Sequence, residues 1–171
     1  MRKLFGTIIG LLLLAGVVYA SGIYGSAEFK GDHTYYGEMY QAGNANVTTI
    51  NTVNVWEEVD NFSTGDVRGI TFADSDLTIS AGSDGTYLVI YTVSADSAVA
   101  AKDFEMAISI DDGIQSECTT SRTFASTTTG NSGGQCILDL TATDVIKLEV
   151  RNTTDDNNVT VIDSNISLHK I

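Results

Sequence analysis

The strongest pattern of apolar and polar positions lies at residues 77–93, LTISAGSDGTYLVIYTV. It reads as a short strand, a Ser83-Asp84-Gly85 turn and then the longest apolar strand of the chain. Tyr87, Val89, Tyr91 and Val93 fall on one face of that strand, and Leu88 and Ile90 on the other. A strand apolar on both faces is expected at the centre of a sheet, covered on both sides.

The remaining chain alternates at the same two-residue period. Residues 47–59 (VTTINTVNVWEEV) predict a strand, or two with a turn near Asn51, and place Trp56 in the core. Residues 60–68 read as a polar loop around Gly65, followed by short strands at Ile70 to Phe72 and Leu77 to Ile79. Residues 94–101, rich in Ala and Ser, read as a loop. Phe104, Met106, Ile108 and Ile110 then form one face of a half-buried strand. Asp112-Gly113 signals a hairpin with its return strand over 114–120. Residues 121–134 (SRTFASTTTGNSGG) predict a long polar loop. Strands follow at 135–140, with Cys136, Leu138 and Leu140 on one face, and at 144–151, with Ile146, Leu148 and Val150 inward. The NTTDDNN turn at 152–158 precedes the closing strands at 159–162 and 165–171. No segment after residue 20 shows a helical period. About eight to ten short strands separated by turns predict an all-β sandwich or barrel.

The first residues follow a different rule. Arg2 and Lys3 precede an apolar run from Leu4 to Ala20, which ends in a small-x-Ala pattern before Ser21. Residues 1–20 therefore read as a secretory signal peptide, with an uncleaved membrane anchor as the competing reading. Residues 21–44 read as an extended arm or linker. It contains the aromatic patch YYGEMY (Tyr35 to Tyr40), whose expected role is a first strand packing on the core. The domain itself is expected over 45–171.

Charge and composition narrow the partners. The chain carries 22 acidic against 9 basic residues, a net charge of −13, and has no proline. Phosphate neutralisation needs Lys and Arg clusters that are missing here, so nucleic acid is not an expected partner. A membrane is expected only if residues 1–20 are retained. Cys118 and Cys136 are the two cysteines, and an even count in an exported chain predicts a disulfide.

Candidate chemistry is sparse. GNSGG at 130–134 matches the surroundings of a nucleophilic serine except for Asn131, which replaces an aspartate. The only histidines are His33 and His169, in the arm and the last strand, so the base needed beside such a serine is not in place. No catalytic residue or cofactor is predicted. Asp111 with Asp112, Asp155 with Asp156 and Asp74 with Asp76 supply oxygens of the kind Ca²⁺ takes, without an EF-hand loop. Sequons occur at Asn46, Asn61, Asn152, Asn158 and Asn165, and their use depends on the host.

The order GTYLVIYTVS, FEMAISIDDG, a Ser/Gly-rich loop, QCILDL, TATDVIKLEV and a final NISLHKI resembles the jelly roll of the complement subcomponent one-q and tumour necrosis factor-like superfamily. A short arm leading into such a domain is also similar to small bacteriophage-encoded structural proteins. The resemblance covers about residues 45–171. It implies a two-sheet antiparallel jelly-roll sandwich, a homotrimer, and Cys118 and Cys136 on neighbouring strands of one sheet. The final strand departs from the family's aromatic pattern, and no collagen-like stalk precedes the domain.

These readings combine into a non-enzymatic module, secreted or displayed at the cell surface, that contacts a glycan or a protein through its end loops. Arg122, Phe124, Asn131, Asn152, Asp155 and Asp156 are the candidate contact residues. The alternative is a virion subunit, of a capsid or tail fibre, without a ligand. In a secreting host the chain is expected to begin at Ser21. Intact mass checks this, and a chain retaining residues 1–20 would identify the anchor instead.

Overall fold

The structure is a computed structural model that describes residues 35–99, 101–124 and 128–171. The signal-peptide reading of 1–20, most of the arm and His33 lie outside the described residues. The strands, in chain order, are β1 (Tyr36–Gln41), β2 (Asn46–Thr48), β3 (Glu57–Glu58), β4 (Ser63–Arg68), β5 (Ile70–Ala73), β6 (Asp76–Ile79) and β7 (Gly85–Ser97). After them come β8 (Lys102–Ile110), β9 (Gly113–Ile114), a 3-10 turn (Ser116–Cys118), β10 (Thr120–Phe124), β11 (Gly130–Leu140), β12 (Val145–Asn152) and β13 (Val159–Lys170).

Two antiparallel sheets result. The first has the order β11-β7-β13-β1-β4, with β2 also on β13. The second has the order β10-β8-β12-β6-β5, with β3 on β12 and β9 on β8. Sequence neighbours β7 and β8, β10 and β11, and β12 and β13 lie in opposite sheets, as the jelly-roll reading requires. The core is where the period-two faces meet: Tyr87, Val89, Tyr91, Phe104, Ile108, Leu138, Ile146, Leu148 and Leu168 are all buried. Each such side chain contributes about 1.5–3 kcal/mol relative to exposure. A bulge between Val161 and Asp163 changes the phase of β13. Val159 and Val161 point inward before it, and Ser164, Ile166 and Leu168 after it, so one long strand serves β2 first and β1 later.

Tyr91 ties the sheets together. It enters the core from β7 and its hydroxyl lies 2.7 Å from the Cys118 carbonyl and 3.0 Å from the Met106 carbonyl, both of the second sheet's side. The hydroxyls of Thr120 and Ser132 continue the network at 3.0 and 3.2 Å. A buried hydroxyl needs such partners, and burial raises its proton affinity above that of free tyrosine. Beside it runs the Cys118–Cys136 disulfide, with Cα atoms 5.3 Å apart. Phe104 and Phe124 meet edge to face at 5.4 Å.

Several expectations need correction. The sheet begins ahead of residue 45, because β1 pairs with β13 from Tyr36 onward. Residues 60–68 are not all loop: β4 is a polar edge strand with mostly exposed side chains, and an edge facing solvent has no apolar period to read. Residues 94–97 continue β7, with Ala95 and Ser97 fully buried, since small residues fit where the sheets approach. Conversely, only β2 and β3 form within 47–59, and Trp56 is half-buried on the surface. Residues 121–134 are largely strand, and residues 125–127 lie outside the described residues. The cysteines are not on neighbouring strands of one sheet. Cys118 lies in the turn before β10 and Cys136 in β11, so the bridge joins the two sheets.

The glycines of GNSGG answer to Tyr91 rather than to chemistry. A Cβ on Gly133 would sit 2.6 Å from the Tyr91 carbonyl oxygen, and one on Gly134 would sit 3.0 Å from the Tyr91 hydroxyl. Gly133→Ala should therefore lose about 1–3 kcal/mol of stability through overpacking. Tyr91→Phe should lose a similar ~1–3 kcal/mol by leaving buried partners unpaired. Urea denaturation checks both, and wild-type midpoints would contradict the assignment. Removing the disulfide by Cys118→Ala with Cys136→Ala should remove about 3 kcal/mol in the chain-entropy picture for a closed loop of this length. Both sulfurs are buried, so thiols should become titratable only after reduction under denaturing conditions.

Candidate interaction surface

Among the described residues nothing covers the second face of β7, contrary to the expectation for a two-sided apolar strand. Thr86, Leu88, Ile90, Thr92 and Ser94 point outward from the first sheet. Strand register builds rows on either side of them. Leu88 sits between Ile137 of β11 and His169 of β13, and Ile90 between Gln135 and Ser167. Thr92 sits between Gly133 and Asn165, whose β1 partner is Tyr40. Ile137 is 60% exposed, Tyr40 39% and Ile90 37%.

Charge is arranged around this centre. No outward position of β7 from Thr86 to Ser94 is charged. Asp139 accepts a hydrogen bond from Thr86 at one end of the face, and Asp163 accepts from the Gly43 amide at the other. Glu38 accepts from Asn165 at 2.6 Å. On a chain with net charge −13, an uncharged apolar centre inside an acidic rim has the composition of an interface core. A depression of about 480 Å³ adjoins it, where Tyr40, Thr92, Ser94, Asn131, Asp163 and Asn165 converge.

The predicted contact residues fall at one end of the sandwich, but not all reach the surface. Arg122 is exposed on β10, and its guanidinium donates to the Asn131 carbonyl at 2.5 Å. It also lies 5.9 Å from the centre of the Phe124 ring. Phe124 is 2% exposed and belongs to the core; the aromatic in a polar stretch is an inward strand position. Asn131 points outward and its side-chain oxygen accepts from Ser94 at 2.9 Å.

Asn152 is fully buried. Its amide nitrogen donates to Asp155 and to the Asn157 carbonyl, and its oxygen accepts from the Thr154 and Asp155 amides. It is the pivot of the turn, so it makes no outside contact. Asp155 is ion-paired with Lys102, which holds its carboxyl down at about 2. Asp156 is exposed. Lys102 pairs with Phe124 in register, and this brings the 152–158 turn beside β10. A polar cavity of about 290 Å³ lies there, with Ser121, Arg122, Thr123 and Thr153 in its wall.

Three of the carboxyl groups weighed for Ca²⁺, those of Asp111, Asp112 and Asp155, have other partners. Asp111 accepts from the Val145 amide and Asp112 pairs with Lys147. Among the described residues no group of three or more His, Cys, Asp or Glu side chains is placed to hold a metal ion. His169 is exposed on the first sheet's outer face, while the Ser132 hydroxyl belongs to the Tyr91 network. Among the described residues no helix is long and apolar enough to cross a membrane. The residues missed by sequence reading are Leu88, Ile90 and Ile137. The signal for Leu88 and Ile90 was the two-faced apolar pattern of β7, which reads as burial by the chain itself; that for Ile137 was the aliphatic at an outward position between Cys136 and Leu138 of β11.

No protein-family sequence model matches the chain, and no curated protein matches it in sequence. Solved structures do match its fold. The vertex protein P5 of PRD1 superposes with a TM-score of 0.57 at 16% identity, covering 82% of this chain and 99% of that one. An Eiger TNF from S. frugiperda gives 0.56 at 15% identity, covering 80% and 93%. Murine APRIL gives 0.55 at 11% identity, covering 80% and 99%. The chain has the jelly-roll fold shared by these tumour necrosis factor-like structures and the phage vertex protein.

Proposed function

We propose that this protein is a non-enzymatic structural or binding module that assembles as a homotrimer through the outer face of its first sheet. The observation that carries this reading is the uncharged centre at Leu88, Ile90 and Ile137 on a strongly acidic chain. Apolar side chains at the centre of a polar rim gain most when a partner removes them from water. A second copy of the same chain is the partner that the likeness to tumour necrosis factor-like structures supports.

In that arrangement the end of the sandwich carrying Arg122, Asn131 and Asp156 stays available for a glycan or protein surface. The Asn152 pivot holds the 152–158 turn at this end in one arrangement, which lowers the entropy lost on contact. The exported or cell-surface setting follows from reading residues 1–20 as a signal peptide. A second reading, a virion subunit without a ligand, is favoured by the likeness to the PRD1 vertex protein over 99% of that chain.

Light scattering on the exported chain should give three chain masses. Ile90→Asp with Ile137→Asp should shift it to one, with an unchanged far-ultraviolet circular dichroism spectrum. A monomeric wild type, or a trimer indifferent to both aspartates, would overturn the assembly face.

A further inference from the structure

The outer face of the second sheet holds charge chemistry that the assembly reading does not use. Glu58 of β3 lies opposite Glu149 of β12 in register. Like charges directly opposite each other weaken a strand pair. Lys147, two residues from Glu149, reaches Glu58 at 3.0 Å and Asp112 at 3.0 Å. Asp76 of β6 faces the same group, and one of its carboxyl oxygens is buried without a hydrogen-bond partner. Four carboxyl groups thus surround a single ammonium, contributed by β3, β6, β12 and the turn after β8. Glu149 is only 7% exposed.

We infer that Asp76 carries a proton within this cluster, and that this proton fastens β3 and the strap before it onto the second sheet. The buried, unpartnered oxygen of Asp76 suits a neutral acid, because a charged carboxylate oxygen left there without a donor is costly. Burial raises the Asp76 carboxyl to about 6, and the nearby Glu58 charge adds to this against the pull of Lys147. Burial likewise raises Glu149, opposed by Ser109 and Lys147. With the proton in place, the charges of Glu58, Asp112 and Glu149 face Lys147. Once it leaves, a fourth negative charge is added to the same face.

The strap is the element such a change would move. β3 spans two residues and pairs only with β12. Its further anchors are the Val59 amide on the Leu148 carbonyl at 2.9 Å and the Asn54 amide on the Asn152 carbonyl at 2.8 Å. Ile50 and Val59 are buried at its two ends. Between them Trp56 lies over the Arg151 guanidinium at 4.6 Å, while Arg151 also pairs with Glu105 at 2.5 Å. The sign follows from linkage: a carboxyl whose folded value stands above its unfolded one binds the proton more tightly when folded. The strap is therefore held most firmly in acid and loosens as pH rises through about 6.

Trp56 is the only tryptophan, so its emission reports the strap. Followed from pH 4.5 to 8 at constant salt, the full chain should show a transition centred near 6, with longer-wavelength emission on the alkaline side. Asp76→Asn, which is neutral and does not titrate, should hold the acid-side spectrum throughout. His169 lies on the other sheet, and a transition that persists in Asp76→Asn would assign it elsewhere and overturn the proposal. So would a flat wild-type profile. If Asp76→Asn fails to fold, the carbon-13 shift of the wild-type Asp76 carboxyl decides. An inflection near 6 supports the proton on Asp76, and one in the ordinary carboxylate range overturns it.

Discussion

A tyrosine hydroxyl cannot be buried between two β-sheets unless both sheets are built to meet it. Tyr91 is fully inside the sandwich, and its partners come from the Met106 and Cys118 carbonyls and the Thr120 hydroxyl. The Cys118–Cys136 bridge closes over the same place. Together they fix how far apart the edges of the sheets stand, and so the position of β11. That strand then presents Cys136, Leu138 and Leu140 inward and Gln135 and Ile137 outward. Gly133 and Gly134 are the local consequence, because side chains there would collide with Tyr91.

The two outer faces have opposite characters. On the first sheet, uncharged β7 positions leave an apolar centre that none of the described residues covers. On the second, Glu58, Asp76, Asp112 and Glu149 gather around Lys147 and fasten the strap that carries Trp56. The sandwich separates these roles. The proposed assembly draws on one face, and the proposed proton-dependent strap lies on the other.

Much of this was legible in the residues. Period-two alternation located β8, β12 and the first part of β7, because inward aliphatics alternate with outward polar groups there. It failed where strands are edges or where small residues line the core: β4 has Val67 as its one aliphatic residue, and Ala95 and Ser97 carry no strong apolar signal. Phe124 was legible as an aromatic but not as a core residue, since its neighbours Arg122 and Thr123 are exposed strand positions that look like loop. Asn152 shows the same limit from the polar side, because its burial depends on four hydrogen bonds that form only in the folded turn. The cysteine pair was predicted from an even count in a chain read as exported and from the family resemblance, while its inter-sheet path follows from the 3-10 turn ahead of β10.

The central claim is that the Tyr91 hydroxyl and the disulfide act as one clamp. A double-mutant cycle between Tyr91→Phe and the paired change Cys118→Ala with Cys136→Ala, read by urea denaturation, tests it directly. Without the bridge, the second-sheet carbonyls can relax away from the hydroxyl. Tyr91→Phe should then be less damaging than in the bridged protein, with a coupling of about 0.5–3 kcal/mol. Losses that add within about 0.3 kcal/mol would mean that the two are independent, and would contradict the account.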